Sequence, residues 1–126
     1  MHIELQSLTT CDVAPDGNSI VFGFTDASGV PAQMRLSLND VGLLAALLPD
    51  LIAKALQSRY GDRTLRYAYP LASWTVEQSS DPGTGMVTLS TTDGFRVCFS
   101  MPLELQYKLG EALASASSNR AQIVAN

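Results

Sequence analysis

The chain has 126 residues, 46% of them apolar and 16% charged, with a formal net charge of −4 and a pI near 4.7. That length fits one domain, or two small lobes sharing a core, and that composition excludes a disordered tail. The acidic balance repels polyanions on average, so nucleic-acid binding would need a local basic patch.

The N-terminus, MHIELQSL, alternates polar and apolar residues and has neither the basic start nor the apolar middle of a signal peptide. Ile3 and Leu5 supply a first strand. The turn signal APDGN follows at 14–18, then a second strand with Ile20, Phe22 and Phe24 on one face. DASG at 26–29 turns the chain again, and Met34, Leu36 and Leu38 share one face of a third strand. Gly and Asp at these turns permit the positive φ angles that tight hairpins need. Thr25, Gln33 and Arg35 alternate with the apolar set, so the sheet has one apolar and one polar face.

A helix comes next, with Asn39 placed to cap it. Val41, Leu44, Leu48, Leu51, Ile52 and Ala55 make one stripe, and Leu43 and Leu47 widen it beyond a single face. A helix apolar nearly all round is covered on more than one side. The sheet is expected on one side and a second copy of the chain, against Leu43 and Leu47, on the other. The alternative is that the second helix and the Tyr-rich connection cover it within one chain. The apolar run at 41–48 stops at Pro49-Asp50, which predicts no membrane span. Pro49 is expected either to bend the helix or to open a second helical segment.

The connection AKALQSRYGDRTLRYAYP, residues 53–70, holds Lys54, Arg59, Arg63 and Arg66 against Asp62 alone. It also holds Tyr60, Tyr67 and Tyr69, three of the four tyrosines. Interleaved cations and aromatic rings suit an anionic ligand or an acidic partner peptide. A structural account is open too: cations are favoured at a helix C-terminus, Gly61 is a natural residue just past it, and tyrosines cover a crossover well.

The second half repeats the pattern. Trp74 with Val76, Val87 with Leu89, and Phe95, Val97 and Phe99 mark three strands, with SSDPGTG at 79–85 and TDG at 92–94 between them. A helix follows, with Ser100 as its cap, Pro102 in its opening turn, and Leu105, Leu109, Ala112, Leu113 and Ala116 as its stripe. The expectation is therefore an α+β chain: a duplicated βββα unit, antiparallel meanders with two helices packed on one face in two layers. It is read as a single domain of two similar halves, about 1–58 and 71–118, joined by a 59–70 crossover. Aligning Ser37 on Ser100 offsets the halves by 63 residues, and aligning Gly29 on Gly94 offsets them by 65.

No catalytic or metal-binding signature emerges. His2 is the one histidine, so no Ser-His-Asp or Cys-His pair belongs to a rigid core. Cys11 and Cys98 are too few for a disulfide framework and too far apart in sequence for a metal knuckle, and neither a metal nor a cofactor is expected. Cys98, beside Arg96, is the one candidate nucleophile. The GxG at 83–85 sits between strands and reads as a hairpin, since a phosphate loop opens a helix. Asp12 with Asp16, and Asp26 with Asp93, imitate acid/base dyads but read as turn carboxylates.

The βββα duplication resembles, in outline, the repeats of PUR-type single-strand binders, which use a four-stranded sheet and a helix. That resemblance implies nucleic-acid binding. This chain departs from it, with fewer strands per unit and a polar face of Thr75, Glu77, Thr88 and Ser90 where such proteins present basic and aromatic groups. The expected function is a small, cytoplasmic, non-enzymatic protein-interaction module acting as a homodimer. The alternative is a nucleic-acid or anionic-ligand binder using residues 54–69. A small enzyme or ligand-pocket protein is the second alternative.

Overall fold

The structure, a computed structural model, describes residues 1–118. The chain divides into two compact units, Met1–Tyr67 and Ala68–Asn126. Unit 1 contains β1 (Leu5–Val13), β2 (Ser19–Asp26), β3 (Pro31–Ser37) and α1 (Leu38–Tyr60). Unit 2 contains β4 (Leu71–Gln78), β5 (Thr84–Thr91), β6 (Arg96–Pro102) and α2 (Leu103–Ser118). Each set of strands forms a three-stranded antiparallel meander, ordered β1-β2-β3 and β4-β5-β6. The fold is α+β, a βββα unit written twice.

The boundaries settle the offset of the repeat. β2 and β5, β3 and β6, and the first residues of the two helices are all separated by 65 residues. Ser37 therefore corresponds to Pro102, and the offset of 63 drawn from Ser100 does not hold. The turn hydrogen bonds keep the same spacing. Asp26 N–H donates to the Val30 carbonyl at 3.0 Å, and Thr91 N–H to that of Phe95 at 2.9 Å. Gly29 and Gly94, with φ of 85° and 93°, take up the left-handed conformation at these turns.

In unit 1 the register places Ile20 opposite Val13 and Leu36, Phe22 opposite Cys11 and Met34, and Phe24 opposite Leu8 and Ala32. The first strand differs from the one expected around Ile3. It starts at Leu5, and irregularities between Leu5 and Ser7 and between Leu8 and Thr10 shift its pairing. Each extra residue inverts the alternation, so Leu8 and Cys11 share a face although three residues apart. In unit 2, Leu89 lies between Trp74 and Val97, and Val87 between Val76 and Phe99.

The helix starts also differ from the expected ones. Ser37, not Asn39, caps α1, its hydroxyl accepting the Asp40 N–H at 3.2 Å. Leu38, expected on the third strand, is the first residue of the helix. Ser100 lies inside β6 opposite Met86, and Pro102 ends that strand rather than opening the helix. Both helices thus begin with no residue intervening after their strand. The Leu38 N–H donates to the Asn18 carbonyl at 3.2 Å, and the Leu103 N–H to the Gly83 carbonyl at 3.1 Å. Gly61 ends α1 at φ 63°, its N–H bonded to the Gln57 carbonyl. The helix runs unbroken through Pro49.

Little of this apolar material is covered within a chain. In unit 1 the buried residues are Ala14, Ser19, Gly23 and Phe24, and in unit 2 only Gly85 among the described residues. No residue of α1 is buried. Leu44 and Leu48, expected against the sheet, are 40% and 46% exposed, and Trp74 on β4 is 67% exposed.

Candidate functional site

The basic stretch is built by the last turns of α1 and the loop after it. Lys54, Gln57, Ser58, Gly61 and Arg63 line a polar depression at the helix end. The left-handed Gly61 lets the chain turn back, and Gln57 Nε2 donates to the Leu65 carbonyl at 2.9 Å, tying the loop to the helix. Asp62 is spent on the loop itself. Its Oδ1 accepts the Thr64 hydroxyl at 2.7 Å and the Thr64 N–H at 2.9 Å. These bonds, the hydroxyl first, hold the Asp62 carboxyl below the usual carboxylate range.

Asp62 therefore neutralises no arginine. Arg59, Arg63 and Arg66 are exposed, and none has an ion-pair or hydrogen-bond partner among the described residues. Lys54 and Arg63 share the depression, while Arg59 and Arg66 are not among its lining residues. Tyr60 and Tyr67 are exposed at 66% and 48%. Tyr69 belongs to unit 2 and stacks on Phe95, ring centroids 4.6 Å apart and planes 15° apart. Those two rings, with Leu71, Leu89, Val97 and Phe99, line an apolar cavity of about 220 Å³. Nothing in the sequence pointed to that cavity, since its members come from three strands and from the two connections that precede β4 and β6.

Leu43 and Leu47 are 59% and 47% exposed on α1. Cys98 is exposed on the polar face of β6, opposite Thr88 and near Arg96. The helix start expected beside it lies at Leu103 instead. Cys11 is exposed on the apolar face of β1. His2 approaches Glu4 at 3.8 Å, both side chains open to water. The GxG is a hairpin in which Asp81 accepts the Gly83 N–H and the Thr84 hydroxyl, each at 3.1 Å. Asp26 accepts from Val30 N–H, Ser28 N–H and the Ser28 hydroxyl, and Asp93 from the Thr91 hydroxyl. Both are turn carboxylates with lowered pKa, Asp26 chiefly through Val30 and Asp93 chiefly through Thr91. Among the described residues no group of three potential metal ligands occurs.

By length and composition alone α1 is long and apolar enough to cross a membrane. Helical geometry sorts its side chains. Leu44, Leu48, Leu51 and Ala55 fall on one side, while Leu43, Leu47, Asp50 and Lys54 follow one another down a second. The second stripe thus begins apolar and ends charged.

No protein-family model, no curated protein and no solved structure matches the chain.

Proposed function

We propose that this protein is a non-enzymatic protein-interaction module that works as a homodimer through α1, in the cytoplasm, where Cys11 and Cys98 stay reduced. The observation that carries the reading is that no residue of α1 is buried, although Leu43, Leu44, Leu47, Leu48 and Leu51 project from it. Burying one leucine is worth about 1.5–3 kcal/mol, so several exposed together drive association. A bilayer fits this helix less well than a protein surface. Asp50 lies near the middle of the helix, and a carboxylate at mid-bilayer costs about 2.5–3.5 kcal/mol. Sedimentation velocity at tens of micromolar, with flotation on neutral lipid vesicles alongside, tests the proposal. A dimer that stays off the vesicles supports it; a monomer, or a chain that floats with the lipid, overturns it.

A second reading is favoured by the arginines without partners. Arg59, Arg63 and Arg66 on an acidic chain suit the carboxylates of a partner protein, with Tyr60 or Tyr67 beside them. The net charge of −4 opposes a long polyanion such as duplex DNA.

A further inference from the structure

Resting on the second reading, in which the basic end of α1 takes acidic groups, we propose that the depression at that end is the binding position itself. Lys54 and Arg63 together hold one carboxylate of an acidic peptide there, and Arg59 and Arg66 stand outside it. The pair is made by the fold, since Lys54 lies within α1 and Arg63 lies beyond its end. Gly61 turns the chain in a left-handed conformation (φ 63°), and Gln57 Nε2 ties the loop back at the Leu65 carbonyl, 2.9 Å away. The result is a depression of about 370 Å³ lined by both cations and by Ser58. One water takes up about 30 Å³ of liquid volume, so an acidic side chain has room. All the lining residues belong to unit 1.

Both cations are unspent. Neither Lys54 nor Arg63 has an ion pair or a hydrogen bond among the described residues. Asp62, next to Arg63 in the chain, gives its Oδ1 to the Thr64 N–H and hydroxyl. Asp50, one turn before Lys54, forms no ion pair with it. Ser58, one turn after Lys54 on the same side of the helix, is exposed, and its hydroxyl is unbonded among the described residues. Two charged donors and a hydroxyl therefore line one depression, and no described carboxylate answers them.

The backbone of the loop selects the anion. Phosphate sites draw on main-chain N–H groups and on helix N-termini. This is a helix C-terminus, where the macrodipole is negative, and the N–H groups around it are engaged. Those of Gly61 and Asp62 donate to the Gln57 carbonyl, that of Thr64 to Asp62 Oδ1, and that of Leu65 to the Asp62 carbonyl. What remains is a guanidinium fork, which matches the two oxygens of a carboxylate, and an ammonium point charge. A dianionic phosphate meets the same two cations without main-chain donors and against the field of the helix end. A peptide brings a further match, because its own N–H groups suit the last carbonyls of a helix, which lack partners within it.

Fluorescent peptides of one sequence, with Glu, Gln or phosphoserine at the same positions, are titrated against the full-length chain. The proteins are wild type, K54Q, R63Q, the K54Q/R63Q double variant, R59Q and R66Q, with R96Q reading the effect of net charge alone. Circular dichroism checks that each variant keeps its fold. The Glu peptide should bind wild type and the Gln peptide should not. K54Q and R63Q should each raise the dissociation constant by about tenfold. The double variant should lose less than the product of the two, because both side chains hold one group. R59Q and R66Q should weaken binding less, by an amount that added salt removes. Losses in R59Q and R66Q as large as those in K54Q and R63Q overturn the depression and leave the second reading standing. Tighter binding of the phosphoserine peptide overturns the choice of carboxylate. A wild type that does not bind the Glu peptide overturns both the depression and the second reading.

Discussion

The amide of Leu38 donates to the carbonyl of Asn18 at 3.2 Å, joining the first residue of α1 to the turn between β1 and β2. Leu38→Pro deletes that donor alone, because proline is tolerated at the first helical position and Ser37 before it is already extended (ψ 158°). The variant should lose about 0.5–1.5 kcal/mol in chemical denaturation relative to Leu38→Ala, which controls for the side chain. Equal stabilities would show that the bond does not hold the junction.

The cap at the same junction makes a separate contribution. Ser37 accepts the Asp40 N–H, and Ser37→Ala leaves that donor to water. Stability should fall by about 1 kcal/mol, with Ser37→Asp restoring most of it. Asn39→Ala, at the position that sequence reasoning favoured as the cap, should stay within about 0.5 kcal/mol of wild type.

Leu47→Glu tests the second stripe of α1. A symmetric dimer counts the substitution twice, so about 3–6 kcal/mol of association is lost and the dissociation constant rises by about 100-fold or more. Analytical ultracentrifugation across a concentration series reads this directly. An unchanged constant would remove Leu47 from the interface.

Asp26, Asp62 and Asp93 all have lowered pKa through turn hydrogen bonds. A carboxyl with a folded pKa below its unfolded value of about 3.9 adds stability that is present above that value and disappears as pH falls through the folded one. The thermal midpoint of the wild type should therefore drop between pH 5 and pH 2.5. Asp26→Asn, which does not titrate, should start lower at pH 7 and lose less over the same interval. Parallel curves for the two proteins would show that Asp26 plays no part in the acid response.

The arginines at the end of α1 predict preference among anions. Fluorescence anisotropy with an acidic peptide should show binding that the triple Arg59, Arg63, Arg66→Ala variant loses. Duplex DNA should bind poorly at both low and moderate salt. Tight, salt-sensitive DNA binding that disappears in the variant would reverse the assignment in favour of nucleic acid.

The sequence by itself determined the elements and their order. Turn residues such as Gly29 and Gly94 announce themselves because few other side chains accept positive φ, and two-residue alternation in Ile20, Phe22 and Phe24 marks a strand with one apolar face. The excess of leucine on α1 was equally plain, since Leu43 and Leu44 are about 100° apart on a helix and no one surface covers both. Where pairing decides the outcome, the sequence was silent. The irregularities in β1 invert its alternation, so Leu8 and Cys11, rather than Ile3, join the apolar face; only the partner strand reveals them. The cap moved from Asn39 to Ser37 because the Asn18 carbonyl claims the Leu38 N–H and starts the helix early, a bond between residues twenty positions apart. The basic residues were legible as a cluster, yet their freedom was not. It depends on Asp62 turning to Thr64 instead of to an arginine, a choice that local geometry makes and composition does not record. The direction in which each helix leaves its sheet belongs to the tertiary structure for the same reason: it follows from hydrogen bonds between distant residues, not from the pattern along the chain.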